Sequence, residues 1–279
     1  MSEIRNIVIT GGTKGIGLVY ASHLSKNPKN RIIITGRSQT APESVTPLLN
    51  DSFHYRTLDV SHEKEVEPFF ESLIKEFGDI DVLINNAGVW GPVGKFNTID
   101  LSEWFDAVKI NLSGVVSCTH AIMQHMIPKR KGIIINMVSN AGAHRWPTCA
   151  SYSMSKAAVM KFTENVAIEC KKDNITIYSF HPGLIHSTGM VIDLFSNPPE
   201  EFCATRSAMD WIIKEKECGH TVSAEDSALH IEKLCSGNYK QLSGLYLNVK
   251  DDLDMILSNI RSVRRNDHYQ LRVSSVAQV

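Results

Sequence analysis

The chain reads as an α/β fold: one doubly wound parallel sheet with helices on both faces, in a single domain spanning residues 1–279. Three observations predict it. Short β-branched runs alternate with longer amphipathic segments. The runs are continuously apolar, as in Ile32-Ile33-Ile34 and Ile133-Ile134-Ile135. A glycine run, Thr10-Gly11-Gly12-Thr13-Lys14-Gly15-Ile16-Gly17, lies between the first strand and the first helix. The alternation calls for parallel strands joined by crossover helices, and apolar runs fit strands covered on both faces.

In order, the strands are expected at 6–10, 31–35, 54–58, 82–85, 132–138, 175–181 and 245–249, with helices at 15–26, 62–77, 101–127, 151–171 and 224–235. Asn27-Pro28-Lys29-Asn30 ends the first helix, because proline cannot continue it and asparagine tolerates a left-handed cap. Two stretches break the rhythm. Residues 187–222 hold Asn197-Pro198-Pro199 and then Phe202, Met209, Trp211, Ile212 and Ile213, an insertion near the carboxyl ends of strands that reads as a substrate lid. The tail, 251–279, has Leu253, Ile256, Leu257 and Ile260 at helical spacing and is expected to pack on the body or on a partner subunit.

Bulk properties exclude several classes. Charge is balanced, with 29 basic against 30 acidic residues, and the short clusters Lys129-Arg130-Lys131 and Arg261 to Arg265 read as a solvated loop and helix end. No nucleic-acid partner is expected. The six cysteines form no CxxC pair, which points to free thiols in a reducing compartment. No apolar run approaches the roughly eighteen residues of a membrane span, and no leader segment precedes Ile7-Val8-Ile9. A cytoplasmic protein without a membrane partner is the expectation. His144, His181 and His186 fall in one half of the fold, but their spacing matches no zinc ligand set, so no metal is expected.

The glycine run carries chemistry because of its context. Gly11 permits a tight turn, Gly15 and Gly17 allow close backbone approach, and a helix N-terminus offers N–H groups to a pyrophosphate. The second strand ends Ile34-Thr35-Gly36-Arg37, where a cofactor lacking a 2′-phosphate would meet an acid. Arg37 and Lys14 instead put two cations there, which favours NADP(H) over NAD(H); the plainer reading is that both face solvent. Asp59 and Val60 follow the third strand, where the carboxylate and N–H could meet adenine. Asn85-Asn86-Ala87-Gly88 closes the fourth, Gly88 leaving room for a ribose.

Tyr152 and Lys156 are four positions apart, so on a helix they share a face. An ammonium beside a phenol favours phenolate and lowers its pKa from about 10, as a general acid/base for a carbonyl/alcohol pair requires. Trp90, Arg145, Trp146 and Met190 are pocket walls by position, and Cys149 is either a wall or a small apolar filler.

With these motifs in order, the chain resembles the classical short-chain dehydrogenase/reductase family over nearly all of residues 5–250: TGxxxGxG at Thr10 to Gly17, Asp59-Val60, NNAG at Asn85 to Gly88, Asn111, Ser139, YxxxK from Tyr152 to Lys156, and Pro182-Gly183. The resemblance implies a Rossmann-type fold and an oxidoreductase acting on a small-molecule carbonyl or secondary alcohol; with Arg37 and Lys14 favouring NADP(H), whose cellular pools favour reduction, an NADP(H)-dependent reductase is expected. The resemblance implies that Tyr152 moves the proton, that Lys156 tunes it and holds the nicotinamide ribose, that Ser139 binds the substrate oxygen, and that Asn111 links Lys156 to solvent through a water. It also implies a cofactor site of Gly11, Thr13, Lys14, Gly15, Ile16, Gly17, Arg37, Asp59, Val60, Asn86, Ala87, Gly88, Tyr152, Lys156, Pro182, Gly183 and Ile185. Ser187 or Thr188 would meet the nicotinamide carboxamide. A homodimer or homotetramer is implied too, although Lys250-Asp251-Asp252 replaces the Gly-Gly near which many relatives end. The rival readings are a non-catalytic NADP(H)-binding sensor or scaffold and an epimerase or dehydratase that borrows the cofactor.

Overall fold

In a computed structural model, which describes residues 4–187, 189–196 and 203–273, seven strands form one sheet: β1 (Arg5–Ile9), β2 (Asn30–Gly36), β3 (Phe53–Thr57), β4 (Val82–Asn85), β5 (Gly132–Met137), β6 (Ile175–His181) and β7 (Tyr246–Asn248). Their order is β3-β2-β1-β4-β5-β6-β7, and every pairing is parallel. Side chains alternate across a strand, and both faces are buried. Ile32 and Ile34 join one core with Ile7 and Ile9, whereas Ile33 and Val8 join the core on the opposite face. That is why the strands lack polar alternation: each fully buried isoleucine contributes about 1.5–3 kcal/mol whichever way it points.

The first core is covered by α1 (Gly15–Leu24) and α8 (Ala224–Cys235), the second by α2 (Glu63–Phe77) and α4 (Gly114–Lys129). The long helix expected over 101–127 is divided. Asp100 caps α3 (Leu101–Val108) by accepting from the N–H groups of Ser102 and Glu103, a π-helical turn occupies Lys109–Ser113, and α4 follows. Helix α5 (Ala150–Glu169) packs against β6 and beside this turn.

In the 187–222 segment, α6 (Gly189–Ser196) and α7 (Ala204–Glu217) are formed; Thr188, Asn197-Pro198-Pro199 and Phe202 lie outside the described residues. The tail folds back as α9 (Leu253–Ser258) and α10 (Ile260–Arg265), whose Leu253, Ile256 and Val263 enter the first core. Beyond α10, Leu271 packs against the Val115, Val138, Val159 and Met160 cluster, and the Arg272 guanidinium donates to both carboxylate oxygens of Glu164 on α5. No helix among the described residues is long and apolar enough to cross a membrane.

Candidate active site

The strand order reverses between β1 and β4, and in such sheets the crevice beyond the carboxyl ends at that point is where ligands bind. A cleft of about 940 Å³ opens there, running from Lys14 and Arg37 at one end to Trp211 and Lys250 at the other.

At the first end the chain turns from β1 into α1. Gly11 and Gly15 have positive φ (+64° and +60°), which glycine adopts without strain. Asn86 locks the turn from β4: its Nδ2 donates to the carbonyls of Thr10 and Gly11, each at 3.0 Å, and the Thr10 hydroxyl accepts from the N–H groups of Asn86 and Ala87. Gly17 serves this lock and faces it, since a Cβ there would lie 2.4 Å from Asn86 Nδ2. The first turn of α1 has no side-chain cap, and Thr13, Gly15 and Ile16 at its start line the cleft, a combination suited to an anion site.

Lys14 and Arg37 are exposed and line this end with Gly36. Asp59 lines it too. Burial pushes its carboxyl up, but the Ser61 hydroxyl and N–H, with His62 and Arg37 nearby, bring it below the ordinary value, so it is ionised. Val60, buried beside it, packs on Gly114.

Gly88 lines the cleft and also makes room for the residues behind it. The space a Cβ would need is taken by Asn111 Oδ1 at 3.1 Å and Lys156 Nζ at 3.7 Å. Asn111, fully buried in the π-helical turn, exchanges two hydrogen bonds with Val89. π-turns often mark functional sites. Here the extra residue aims an amide at the loop after β4.

Tyr152 and Lys156 share the buried face of α5, both lining the cleft. The amine stands 5.6 Å from the centre of the Tyr152 ring, over its face, and donates to the Met137 carbonyl at 2.8 Å. In the protein alone the phenol is therefore not acidified. Burial pushes it up to about 12, against a smaller downward pull from the Ser139 hydroxyl, and burial pushes the Lys156 amine down to about 8. Both groups are pressed towards their neutral forms because little water reaches them. Ser139, after β5, accepts from the Ala141 N–H at 3.2 Å, which leaves its own proton for another acceptor.

Pro182, Gly183 and Ile185 close the far wall after β6. Ser187 is exposed and is not among the described residues that line the cleft. His181 is buried with Nδ1 unpartnered, and burial pushes its pKa down to about 4; His144 is exposed on the rim. Four of the six cysteines are buried thiols, Cys149 among them, while Cys203 and Cys218 are exposed.

Residues 5–199 match the family model described as short chain dehydrogenase. The chain belongs to that family. It is 31% identical over 247 residues to the 3-oxoacyl-[acyl-carrier-protein] reductase FabG of Haemophilus influenzae, covering 88% of this chain and 96% of the relative. It is also 31% identical, over 192 residues (67% of this chain, 74% of the relative), to an NADP-dependent 3-hydroxy acid dehydrogenase of Schizosaccharomyces pombe. Among solved structures, an actinorhodin polyketide ketoreductase variant with NADPH is similar at a TM-score of 0.77 and 28% identity, covering 88% of this chain and 95% of that one. ElxO with NADP bound is similar at the same TM-score and 26% identity, with 88% and 97% covered. The protein is thus an oxidoreductase of this family, with the family's seven-stranded Rossmann-type sheet.

Sequence reasoning missed the Met137 carbonyl and the Val89 backbone, which partner Lys156 and Asn111. It also missed Asn248 and Lys250, which line the outer cleft with Trp211, Glu215 and His220 of the expected lid segment. Asn248 and Lys250 could have been found, since they stand at the carboxyl end of β7, where ligand-binding residues of such sheets gather.

Proposed function

We propose that the protein is an NADP(H)-dependent reductase of ketones or aldehydes, with Tyr152 as the proton donor. The observation that carries the reading is the convergence of Ser139, Tyr152 and Lys156 on one cleft with the uncapped N-terminus of α1. The donor set fits a phosphorylated dinucleotide. Gly11, Thr13, Gly15, Ile16 and Gly17 would hold the pyrophosphate on backbone N–H groups, Lys14 and Arg37 would meet a 2′-phosphate, and Asp59 and Val60 the adenine. Asn86, Ala87 and Gly88 would flank the ribose on the β4 side, with Pro182, Gly183 and Ile185 at the nicotinamide end beside Ser187 or Thr188. NADPH and NADP in the related structures support the same cofactor.

Bound NADPH supplies the hydride. The protein's own residues handle the proton. Ser139 Oγ donates to the substrate carbonyl oxygen and steadies the charge that grows there. Tyr152 Oη delivers its proton to the same oxygen. A phenol raised to about 12 is fully protonated at neutral pH, so the donor is loaded before each reduction. Lys156, with Nζ on the Met137 carbonyl, faces the same space and would hold ribose hydroxyls. Asn111 fixes the loop after β4 and stands close to the amine that a proton relay would use. A cytoplasmic homo-oligomer reducing a small molecule completes the proposal.

The test is NADPH consumption on adding a panel of ketones, quinones and sugars. At least one should be reduced, with a lower KM for NADPH than for NADH. Tyr152→Phe should bind NADPH as the wild type does and lose about 100-fold or more in kcat; wild-type turnover in that variant would end the mechanism.

A further inference from the structure

Resting on the reductase reading above, we propose that the substrate is an aromatic ketone or aldehyde that carries a carboxylate on the side of the ring away from the carbonyl. The wall above Tyr152 is built from tryptophan. Trp90 lies 4.8 Å from the Tyr152 ring, tilted by 44°, and its one polar atom, Nε1, is spent on the Met190 carbonyl at 3.1 Å. Farther out, Trp146 meets Trp211 edge to face at 4.5 Å. Three of the four tryptophans in the chain therefore line this cleft, and they come from the loop after β4, the loop after β5 and α7. With Met190, which lines the same cleft, they offer ring faces and soft apolar atoms to a ligand beside the reacting phenol. Flat π-systems pack on such surfaces in offset or edge-on geometry, which a flexible aliphatic chain cannot match.

The rim carries the other half of the recognition. Arg145, just beyond the Ser139 turn, and Lys250, just beyond β7, both line the cleft. Among the described residues neither pairs with a carboxylate: Lys250 Nζ donates to the His220 carbonyl at 3.4 Å. The neighbouring acids are engaged elsewhere. Glu215 is bonded to His220 Nδ1 at 2.9 Å, and Asp251 accepts from the Asn248 N–H. Two cations with no fixed counter-ion among the described residues, lining the same cleft as the three tryptophans, fit an anionic group on a flat substrate; a guanidinium and an ammonium both make charge-assisted bonds to carboxylate.

The experiment compares kcat/KM with NADPH for 4-acetylbenzoate, its neutral methyl ester and the aliphatic oxo acid 5-oxohexanoate. Expected is an advantage of about tenfold or more for 4-acetylbenzoate over each of the others. Arg145→Gln combined with Lys250→Gln should erase the advantage over the ester, and Trp146→Leu the advantage over the aliphatic acid. An ester reduced as well as the acid overturns the anionic half, and an aliphatic acid reduced as well overturns the aromatic half, with the reductase reading intact in either case. Failure of every ketone tested to consume NADPH would instead overturn the reductase reading, and this proposal with it.

Discussion

Asn111 and Val89 are joined twice. The Asn111 Nδ2 donates to the Val89 carbonyl at 2.8 Å, and its Oδ1 accepts from the Val89 N–H at 2.9 Å. The π-helical turn over Lys109–Ser113 brings the amide to this position, and through it the loop after β4 is fixed to the helix that flanks Lys156. Asn111→Ala leaves two backbone groups without partners in a site that admits little water. A loss of about 1–3 kcal/mol in stability is expected, together with a fall in kcat larger than any change in the KM for NADPH. Thermal unfolding and steady-state kinetics check both.

The pH profile follows from Lys156. Its amine is pushed down to about 8 by burial, so the cation is lost as pH rises through that value, while Tyr152, up at about 12, stays protonated throughout. The kcat/KM for ketone reduction should therefore be level near neutrality and decline above about pH 8. A profile flat to pH 10 would contradict the assignment.

Stability runs the opposite way with pH. Between pH 8 and the unbound value of 10.5, the unfolded chain holds a proton on Lys156 that the native state has released, so this group's contribution to stability rises with pH across that window. Lys156→Met removes a buried charge. Below pH 8 the variant without cofactor should melt higher than wild type, although inactive; an unchanged or lower melting temperature would show that the Met137 contact outweighs desolvation.

Arg37 decides the cofactor in the proposed reading. Arg37→Glu should raise the KM for NADPH by about tenfold or more, since an acid at this position repels a 2′-phosphate and suits a ribose hydroxyl. The KM for NADH should fall or hold. Equal effects on both cofactors would mean that Arg37 acts through the fold.

Gly17→Ala tests the lock at the glycine turn. The added methyl group would lie 2.4 Å from Asn86 Nδ2 and 2.7 Å from the Gly11 carbonyl, so Asn86 must release at least one of the carbonyls it bridges. A cost of about 1–3 kcal/mol is expected, read as a lower melting temperature and weaker NADPH binding.

Local pattern was enough for much of this. The run Ile32-Ile33-Ile34 is apolar because both faces of β2 are covered, and a strand's period of two makes that visible without knowing its neighbours. The spacing of Tyr152 and Lys156 puts them on one helix face for the same kind of reason. Other features depend on segments far apart in the chain. A continuous helix over 101–127 is the natural reading of its apolar spacing. The turn that interrupts it exists beside Val89 and Val60, residues whose proximity no local window contains.

What the sequence by itself determined was the sheet, the glycine turn, the cation pair near its end and the shared helix face of Tyr152 and Lys156, because each follows from periodicity or from backbone geometry over a few positions. The tertiary structure alone decided the electrostatics and the shape of the outer cleft. Tyr152 is buried, so desolvation raises the phenol where the helical spacing predicted a lower value, and Lys156 is held on the Met137 carbonyl. Trp146 meets Trp211 only because α7 folds back over the loop after β5. Charge interactions and packing depend on distance and water access in three dimensions, and neither is encoded in the separation of two residues along the chain.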